Sequence, residues 1–419
     1  MNREMLLQQI DQRQDELYDL LCQLIRINSE NFGSHGNESE CPAYIAELCR
    51  ELGLETSLYS PMELEGFTEH PDYMPGRHLE DRYNVTAVWK GQEDTNGLML
   101  MGHSDTETIG DRSLWTVEPL AGIVRDGKIW GRGACDDKYA IATALFLFRV
   151  LKDMGFQPKE NLLFTAYCDE EKGGSHGALA SVLKYPARRL VNMDCKNFEI
   201  WQAASGGACG KYRFHVAEPL DSCKRTAEAL PVIMSFLDIF GKRRKEELER
   251  NRFYAGTIIP ETALRYFGIR AGGGGNDLNV GELSFSFYTD RSQAEINAEF
   301  KAMEMVLSRK LQTMGIVSDG FTFTTRFFPY GFTEPDCAAI TDLQAAARAV
   351  SGRELKPCGS CLSDLAILLA NGGTDAFSFG VGQDFNVYGG AHQPDEHIGC
   401  AALLEFTKIM GIYILDTLG

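Results

Sequence analysis

Short apolar runs separated by helical stretches set the frame of this chain, and each run ends in residues that bear chemistry. Leu98–Gly102 leads into His103-Ser104-Asp105, Asn161–Tyr167 leads into Cys168-Asp169-Glu170-Glu171, and Leu190–Asp194 ends on its own acid. Brief apolar runs bounded by turn residues read as buried strands. Between them Tyr139–Met154 and Ser175–Leu183 carry helical patterns. Helices alternating with buried strands build an α/β domain around a mostly parallel sheet. Ligands of such sheets gather beyond the carboxyl ends of the strands. His103, Asp105, Glu170, Glu171 and Asp194 all fall there.

The flanking segments extend this reading. Leu6–Ile27 and Cys41–Leu52 read as helices, Leu54–Tyr59 and Asn84–Trp89 as strands, and Ile123–Trp130 as a hairpin around Asp126-Gly127. Ser60–Arg82 is rich in Pro, Gly, His and acids and reads as a surface loop. Past Gly206 the character changes. Lys211–Ala217 and Glu282–Thr289 read as strands, Thr226–Phe240 and Ser292–Met314 as helices, and Gly241–Arg252 as a solvated helix face. The Gly-rich stretch Ala271–Gly275 lacks the Lys-Ser/Thr of a phosphate loop. From Phe321 the α/β pattern returns: strand Phe321–Phe328, helices Asp336–Val350 and Leu365–Ala370, strand Ala376–Gly380 and helix Ile398–Leu415. The expected organisation is an α/β domain in two parts, 1–207 and 319–419, around an inserted α+β domain, 208–318.

Length and charge narrow the function. A chain of 419 residues exceeds what one core usually supports. Its net charge of −18 disfavours nucleic acid and anionic membranes, which are bound by clustered Lys and Arg. No apolar run approaches the roughly 20 residues of a membrane span, and Met1–Gln9 lacks a signal-peptide core. Twelve cysteines without a repeating framework fit free thiols in a reducing cytoplasm, and Cys358-Gly-Ser-Cys361 reads as two buried thiols near a turn.

On a strand, residues two apart share a face, so Asp105 can accept the second N–H of the His103 imidazole. Asp136, in Gly131-Arg-Gly-Ala-Cys-Asp136-Asp137-Lys138, stands where a loop enters a helix, and His392 follows a strand through the Gly-rich loop Gly389–His397. Imidazoles with carboxylates suit Zn²⁺, and also Mn²⁺ or Co²⁺. Five ligands and a spare carboxylate exceed one tetrahedral site. The economical arrangement is a carboxylate bridging two ions with a shared water as nucleophile. Glu170 and Glu171 are adjacent and diverge at a strand end, so one can ligate while the other serves as general base.

Five spaced motifs resemble the co-catalytic zinc peptidase/deacylase family of carboxypeptidase G, succinyl-diaminopimelate desuccinylase, acetylornithine deacetylase, aminoacylase and carnosinase. They are Gly102-His103-Ser104-Asp105, Gly131–Lys138, Asp169–Gly174, Asp194 and Gly389–Glu396. The resemblance covers nearly the whole chain and implies a zinc-exopeptidase-like catalytic domain with an inserted lid, often the dimerisation domain. It implies that His103 and Asp194 hold one divalent ion, that Glu171 and His392 hold the other, and that Asp136 bridges both. Glu170 would then be the base, Asp105 would support His103, and a cis peptide would join Asp136 to Asp137. Gly359, Ser360 and Arg291 would face the substrate. Relatives usually carry a lid histidine in a Gly-x-x-Ala-His stretch; here Phe214-His215-Val216-Ala217-Glu218-Pro219 places His215 inside a strand. Asp rather than Glu at position 194 accompanies dipeptidases and aminopeptidases in the family. The implied activity is hydrolysis of short peptides, with an N-acyl amino acid deacylase, and more remotely a binding protein on the same fold, as alternatives.

Overall fold

The computed structural model describes residues 2–216, 222–272, 279–372 and 375–419. The chain divides into two compact units, one of Met1–Gln202, Phe332–Cys358 and Ile367–Gly419, the other of Ala203–Gly331 with Gly359–Ala366. In chain order the main strands begin with β1 (Glu55–Tyr59), β2 (Asn84–Trp89), β3 (Glu93–His103), β4 (Ile123–Arg125), β5 (Lys128–Trp130), β6 (Glu160–Tyr167) and β7 (Arg189–Asn192). They continue with β8 (Ile200–Ala204), β9 (Gly206–Val216), β10 (Leu264–Ala271), β11 (Val280–Thr289), β12 (Ile316–Phe323), β13 (Asp375–Phe379) and β14 (His397–Gly399). The helices are α1 (Arg3–Gln12), α2 (Gln14–Arg26), α3 (Glu40–Glu51), α4 (Lys138–Asp153), α5 (His176–Lys184), α6 (Ser222–Leu248), α7 (Gln293–Gln312), α8 (Ala338–Ser351), α9 (Leu365–Asn371) and α10 (Cys400–Leu418).

In the first unit the sheet runs β1-β2-β6-β3-β7-β13-β8. Its centre is parallel, β6 with β3, β3 with β7 and β7 with β13, so these four strands end on the same edge. The flanks are antiparallel: β1 with β2, β2 with β6, and Ile200–Trp201 of β8 with β13. All six residues of β2 and the last seven of β3 are buried, which explains why the end of β3 reads as an unbroken apolar run rather than an alternating one. Helix α4 is rich in Ala, Leu and Phe and is buried along almost its whole length. It packs into one core with Leu17, Leu21 and Leu24 of α2, Leu100 of β3, Phe164 of β6 and Phe406 and Tyr413 of α10. Gly155, with φ of +74°, ends the turn that follows α4.

The N-terminal helical pattern is two helices, not one. Arg13 leaves the helical region (φ −111°, ψ 16°), and its guanidinium bonds Glu16 and Asp153, each at 2.8 Å. Polar anchoring thus overrides the continuous apolar spacing.

The second unit holds an antiparallel sheet, β10-β11-β9-β12, with its apolar face under α6 and α7. Tyr212, Phe214, Leu283, Phe285 and Phe287 meet Ile233, Leu237, Phe240, Ile296 and Phe300 there. Four strands stand where two were expected. Strand β10 escaped notice because it is an edge whose Phe267 and Ile269 remain 61% and 62% exposed, blurring the alternation. The strand expected at Phe321–Phe328 is instead Ile316–Phe323, hydrogen-bonded to β9. Ala217–Pro219 and positions 273–275 of the Gly-rich stretch lie outside the described residues. Among the described residues no helix is long and apolar enough to cross a membrane.

Candidate metal centre

His103 is the last residue of β3, Asp169–Glu171 follow β6, Asp194 follows β7, and His392 lies on the loop after β13. The parallel order therefore brings the chemistry of four strands to one edge. Asp136 arrives from elsewhere, just ahead of α4, and its peptide bond to Asp137 is cis. The close approach of α4 to β3 requires Gly102, because a Cβ there would lie 2.8 Å from both Ala140 Cβ and Asp137 Oδ2. His392 adopts a left-handed backbone (φ +62°), and Gly389 does too (φ +69°), where a Cβ would strike the His397 ring at 2.2 Å.

The carboxylate of Asp136 faces both imidazoles. Its Oδ1 lies 3.0 Å from His103 Nε2 and its Oδ2 lies 3.1 Å from His392 Nε2. Glu171 Oε2 is 2.7 Å from the same His392 nitrogen. His103, Asp136 and Glu171 form one group whose potential ligand atoms all lie within 4.8 Å of one another, and Glu107, Glu171 and His392 form a second. Asp194 stands outside both groups, and its charge bears on Asp137.

His103 Nδ1 meets the main-chain oxygen of Asp105 at 2.9 Å, while the Asp105 carboxylate is 3.6 Å away. A carbonyl only accepts, so Nδ1 carries the proton and Nε2 is left to face Asp136. The support expected from the Asp105 side chain thus comes chiefly from its backbone. Its carboxylate instead accepts from the Glu170 N–H at 3.0 Å, the Glu171 N–H at 3.1 Å and Asn31 Nδ2 at 2.8 Å. Asp105 therefore sets the backbone of the acidic pair as well as the ring of His103. Burial pushes the Asp105 carboxyl up, but His103 foremost, with the charge of Arg82 and the Asn31 amide, overcomes it and holds the group down at about 2.

The buried centre demands positive charge. Burial opposes the imidazolium of His392, yet Glu171 and Asp136 outweigh it and push the ring up to about 11. His103 is likewise pushed well above the ordinary range, burial being overcome by Asp105 and Asp136. Burial raises Glu171, with His392 pulling the other way and Asp136 adding to the rise, whereas His103 and His392 hold Asp136 below the carboxylate range against its burial. Carboxylates and imidazoles aimed at each other at these distances form a hard-to-borderline donor set suited to divalent zinc, manganese or cobalt. The residues present fit such ions.

Three buried networks that support this edge were not anticipated. Glu396 receives Arg132 at 2.6 Å and the Cys135 N–H at 2.9 Å, clamping the loop that delivers Asp136. Asp169 takes Arg77 and Arg82 at 2.8 Å each and His176 Nδ1 at 2.5 Å, tying the segment read as a surface loop to the acidic triplet. Lys138 Nζ donates to the Leu24 and Ile27 carbonyls at 2.9 and 2.7 Å, closing the end of α2. The available signal was charge: Arg77 and Arg82 in an acidic chain, beside a run of three acids that must be partly neutralised if buried.

The first network yields a stability prediction. Arg132 and Glu396 are 2% and 0% exposed, so Arg132→Met leaves a buried carboxylate unpaired and should cost about 3–5 kcal/mol of unfolding free energy. Arg132→Met with Glu396→Leu should recover much of that loss in denaturant titrations. A single variant as stable as the parent would remove the clamp from the account.

The residues assigned to the substrate side lie in the second unit. A Cβ on Gly359 would press on the Tyr254 ring at 2.2 Å, Ser360 Oγ donates to the Cys361 carbonyl at 2.7 Å, and Arg291 is held by Glu247 at 2.6 Å. His215 is on β9 and pairs with Asp319 at 2.8 Å.

Residues 99–416 match the model of "Peptidase family M20/M25/M40". Over 171 residues the chain is 32% identical to an uncharacterized metallohydrolase of Methanocaldococcus jannaschii, a match covering 39% of this chain and 38% of that protein. The chain thus spans about two fifths of the length of the curated relatives it matches. The fold superposes on the dipeptidase Dug1p of Saccharomyces cerevisiae with a TM-score of 0.74 at 14% identity, covering 99% of this chain and 98% of that one. Human carnosine dipeptidase 1 superposes with a TM-score of 0.72 at 16% identity, covering 99% of both.

Proposed function

Because the chain belongs to Peptidase family M20/M25/M40, a family of hydrolases acting on amide bonds, we propose that it is a dipeptidase-like exopeptidase working with two divalent cations, Zn²⁺ foremost. The observation that supports this reading is Asp136, whose two oxygens each face a different imidazole. His103, Asp194 and Asp136 would hold one ion, and Glu171, His392 and Asp136 the other. When bound, such ions acidify a water and polarise the scissile carbonyl.

The remaining work belongs to the chain. Glu170 accepts the proton of the attacking water and returns it to the leaving nitrogen, the amine departing as the C–N bond breaks. Asp105 fixes the main chain of Glu170 and so the reach of that carboxylate. The side chains of His103, Asp105 and Glu171 are buried, and the low dielectric around them strengthens their electrostatic interactions. The dipeptidase assignment draws on the names of the two superposed structures and on the acid being Asp at position 194.

A panel of dipeptides against N-acetyl and N-succinyl amino acids, with Zn²⁺, Mn²⁺ or Co²⁺ added, tests the reading. Dipeptides should be cleaved fastest, and chelation should abolish turnover. Faster release from the acylated amino acids would make the enzyme a deacylase, and turnover that survives complete metal removal would end the two-cation reading.

A further inference from the structure

Glu107 lies two residues beyond Asp105 and was not singled out by any motif. It bonds one of the residues assigned to the second ion and stands within ion-pair range of the other. Its N–H donates to Glu171 Oε1 at 2.6 Å, and its Oε2 stands 4.0 Å from His392 Nδ1, within ion-pair range. Glu171 Oε2 and Asp136 Oδ2 approach the opposite ring nitrogen, Nε2.

The carboxylate is built into place rather than left at the surface. Oε1 accepts from the Thr108 N–H at 2.6 Å and from Thr108 Oγ at 2.8 Å, and Lys172 Nζ pairs with the same group. Its main chain is strapped from the other side. Thr106 N–H donates to the Ser29 carbonyl and Asn31 N–H to the Thr106 carbonyl, each at 2.9 Å, while Ile109 N–H donates to Glu30 Oε1 at 2.8 Å. Phe385 lies against the His392 ring at a centroid distance of 4.8 Å and limits its rotation.

We propose that Glu107 is the positioning residue of the second cation site, aiming His392 through its carboxylate and Glu171 through its N–H. An anion beside Nδ1 favours the proton on that nitrogen and leaves the Nε2 lone pair toward Asp136 and Glu171, where the ion would be held. The division of labour repeats at alternate residues: Asp105 serves His103 and the backbone of the acidic pair, and Glu107 serves His392 and the Glu171 side chain. The inference rests on the two-cation reading above and extends it.

The test compares the whole protein with two variants, measuring bound metal by elemental analysis and Co²⁺ affinity by competition with a chelating dye. Glu107→Gln keeps the N–H and the shape but removes the negative charge. It should keep one ion at parental affinity and bind the other about 10–100-fold more weakly, the usual cost of losing the partner behind a ligating histidine. Lys172→Met removes the competing cation and leaves the carboxylate, so both ions should bind at least as tightly as in the parent. Parental affinity for both ions in Glu107→Gln overturns the proposal. So does an equal loss in Lys172→Met, which would trace the effect to a disturbed loop. A parent that itself binds fewer than two ions fails the two-cation reading and this inference with it.

Discussion

Glu170→Ala should keep the full complement of metal and lose about 10²–10⁴-fold in kcat, the usual share of a positioned general base. Two features separate Glu170 from its neighbour. Glu171 meets His392 at 2.7 Å and belongs to both ligand-distance groups, whereas Glu170 belongs to neither among the described residues. What anchors Glu170 is its backbone, whose N–H is taken by the Asp105 carboxylate at 3.0 Å. Alanine keeps that N–H, so the loop and Glu171 should stay in register. The measurement is metal content beside single-turnover rates. A variant that loses an ion makes Glu170 a ligand, and one that retains both the ions and the rate relieves it of proton transfer. Glu170→Gln should be as slow as the alanine variant, because an amide has the shape of the carboxylic acid but takes no proton at neutral pH.

Asp136→Ala should do the opposite, emptying the centre before affecting anything else. Each imidazole loses the oxygen opposite its Nε2, at 3.0 Å for His103 and 3.1 Å for His392, so both cation sites weaken together. We expect less than one ion retained after dialysis and turnover near background, with the fold intact by circular dichroism. Retention of two ions at parental affinity would refute the bridging role. The same geometry sets a pH dependence in the parent. Without an ion His103 is held above its ordinary range and His392 up to about 11 by the carboxylates around them, against the pull of burial. Protons and metal therefore compete for Nε2. Metal uptake should release protons, and affinity should rise with pH across the neutral range. Asp136→Ala removes the charge that holds those protons, so any residual uptake should release fewer.

Much of the site was legible because strand period and strand ends are local properties. A buried run ending in Gly-His-Ser-Asp places His103 at the carboxyl edge of a sheet whatever the remaining chain does, and the same holds for Glu171 after β6. Asp136 and His392 needed more, since neither follows its strand directly, and the motif resemblance supplied what periodicity could not. Other readings failed for identifiable reasons. The edge strand β10 exposes Phe267 and Ile269 and so lacks the alternation of a half-buried strand. The break at Arg13 comes from ion pairs, one of them to Asp153 far along the chain.

Residue type and spacing alone pointed to the class of chemistry: imidazoles and acids at the ends of buried strands. Tertiary structure alone decided which atom of each residue does the work. Asp105 orients His103 by its carbonyl and spends its carboxylate on the Glu170 and Glu171 N–H groups and Asn31, and Glu107 came forward only through its contacts with His392 and Glu171. Arg132 and Glu396, 264 positions apart, meet only in the folded chain. The reason is physical. Periodicity reports the face and end on which a side chain emerges, whereas hydrogen bonds and ion pairs depend on rotamers and on partners brought near by distant loops.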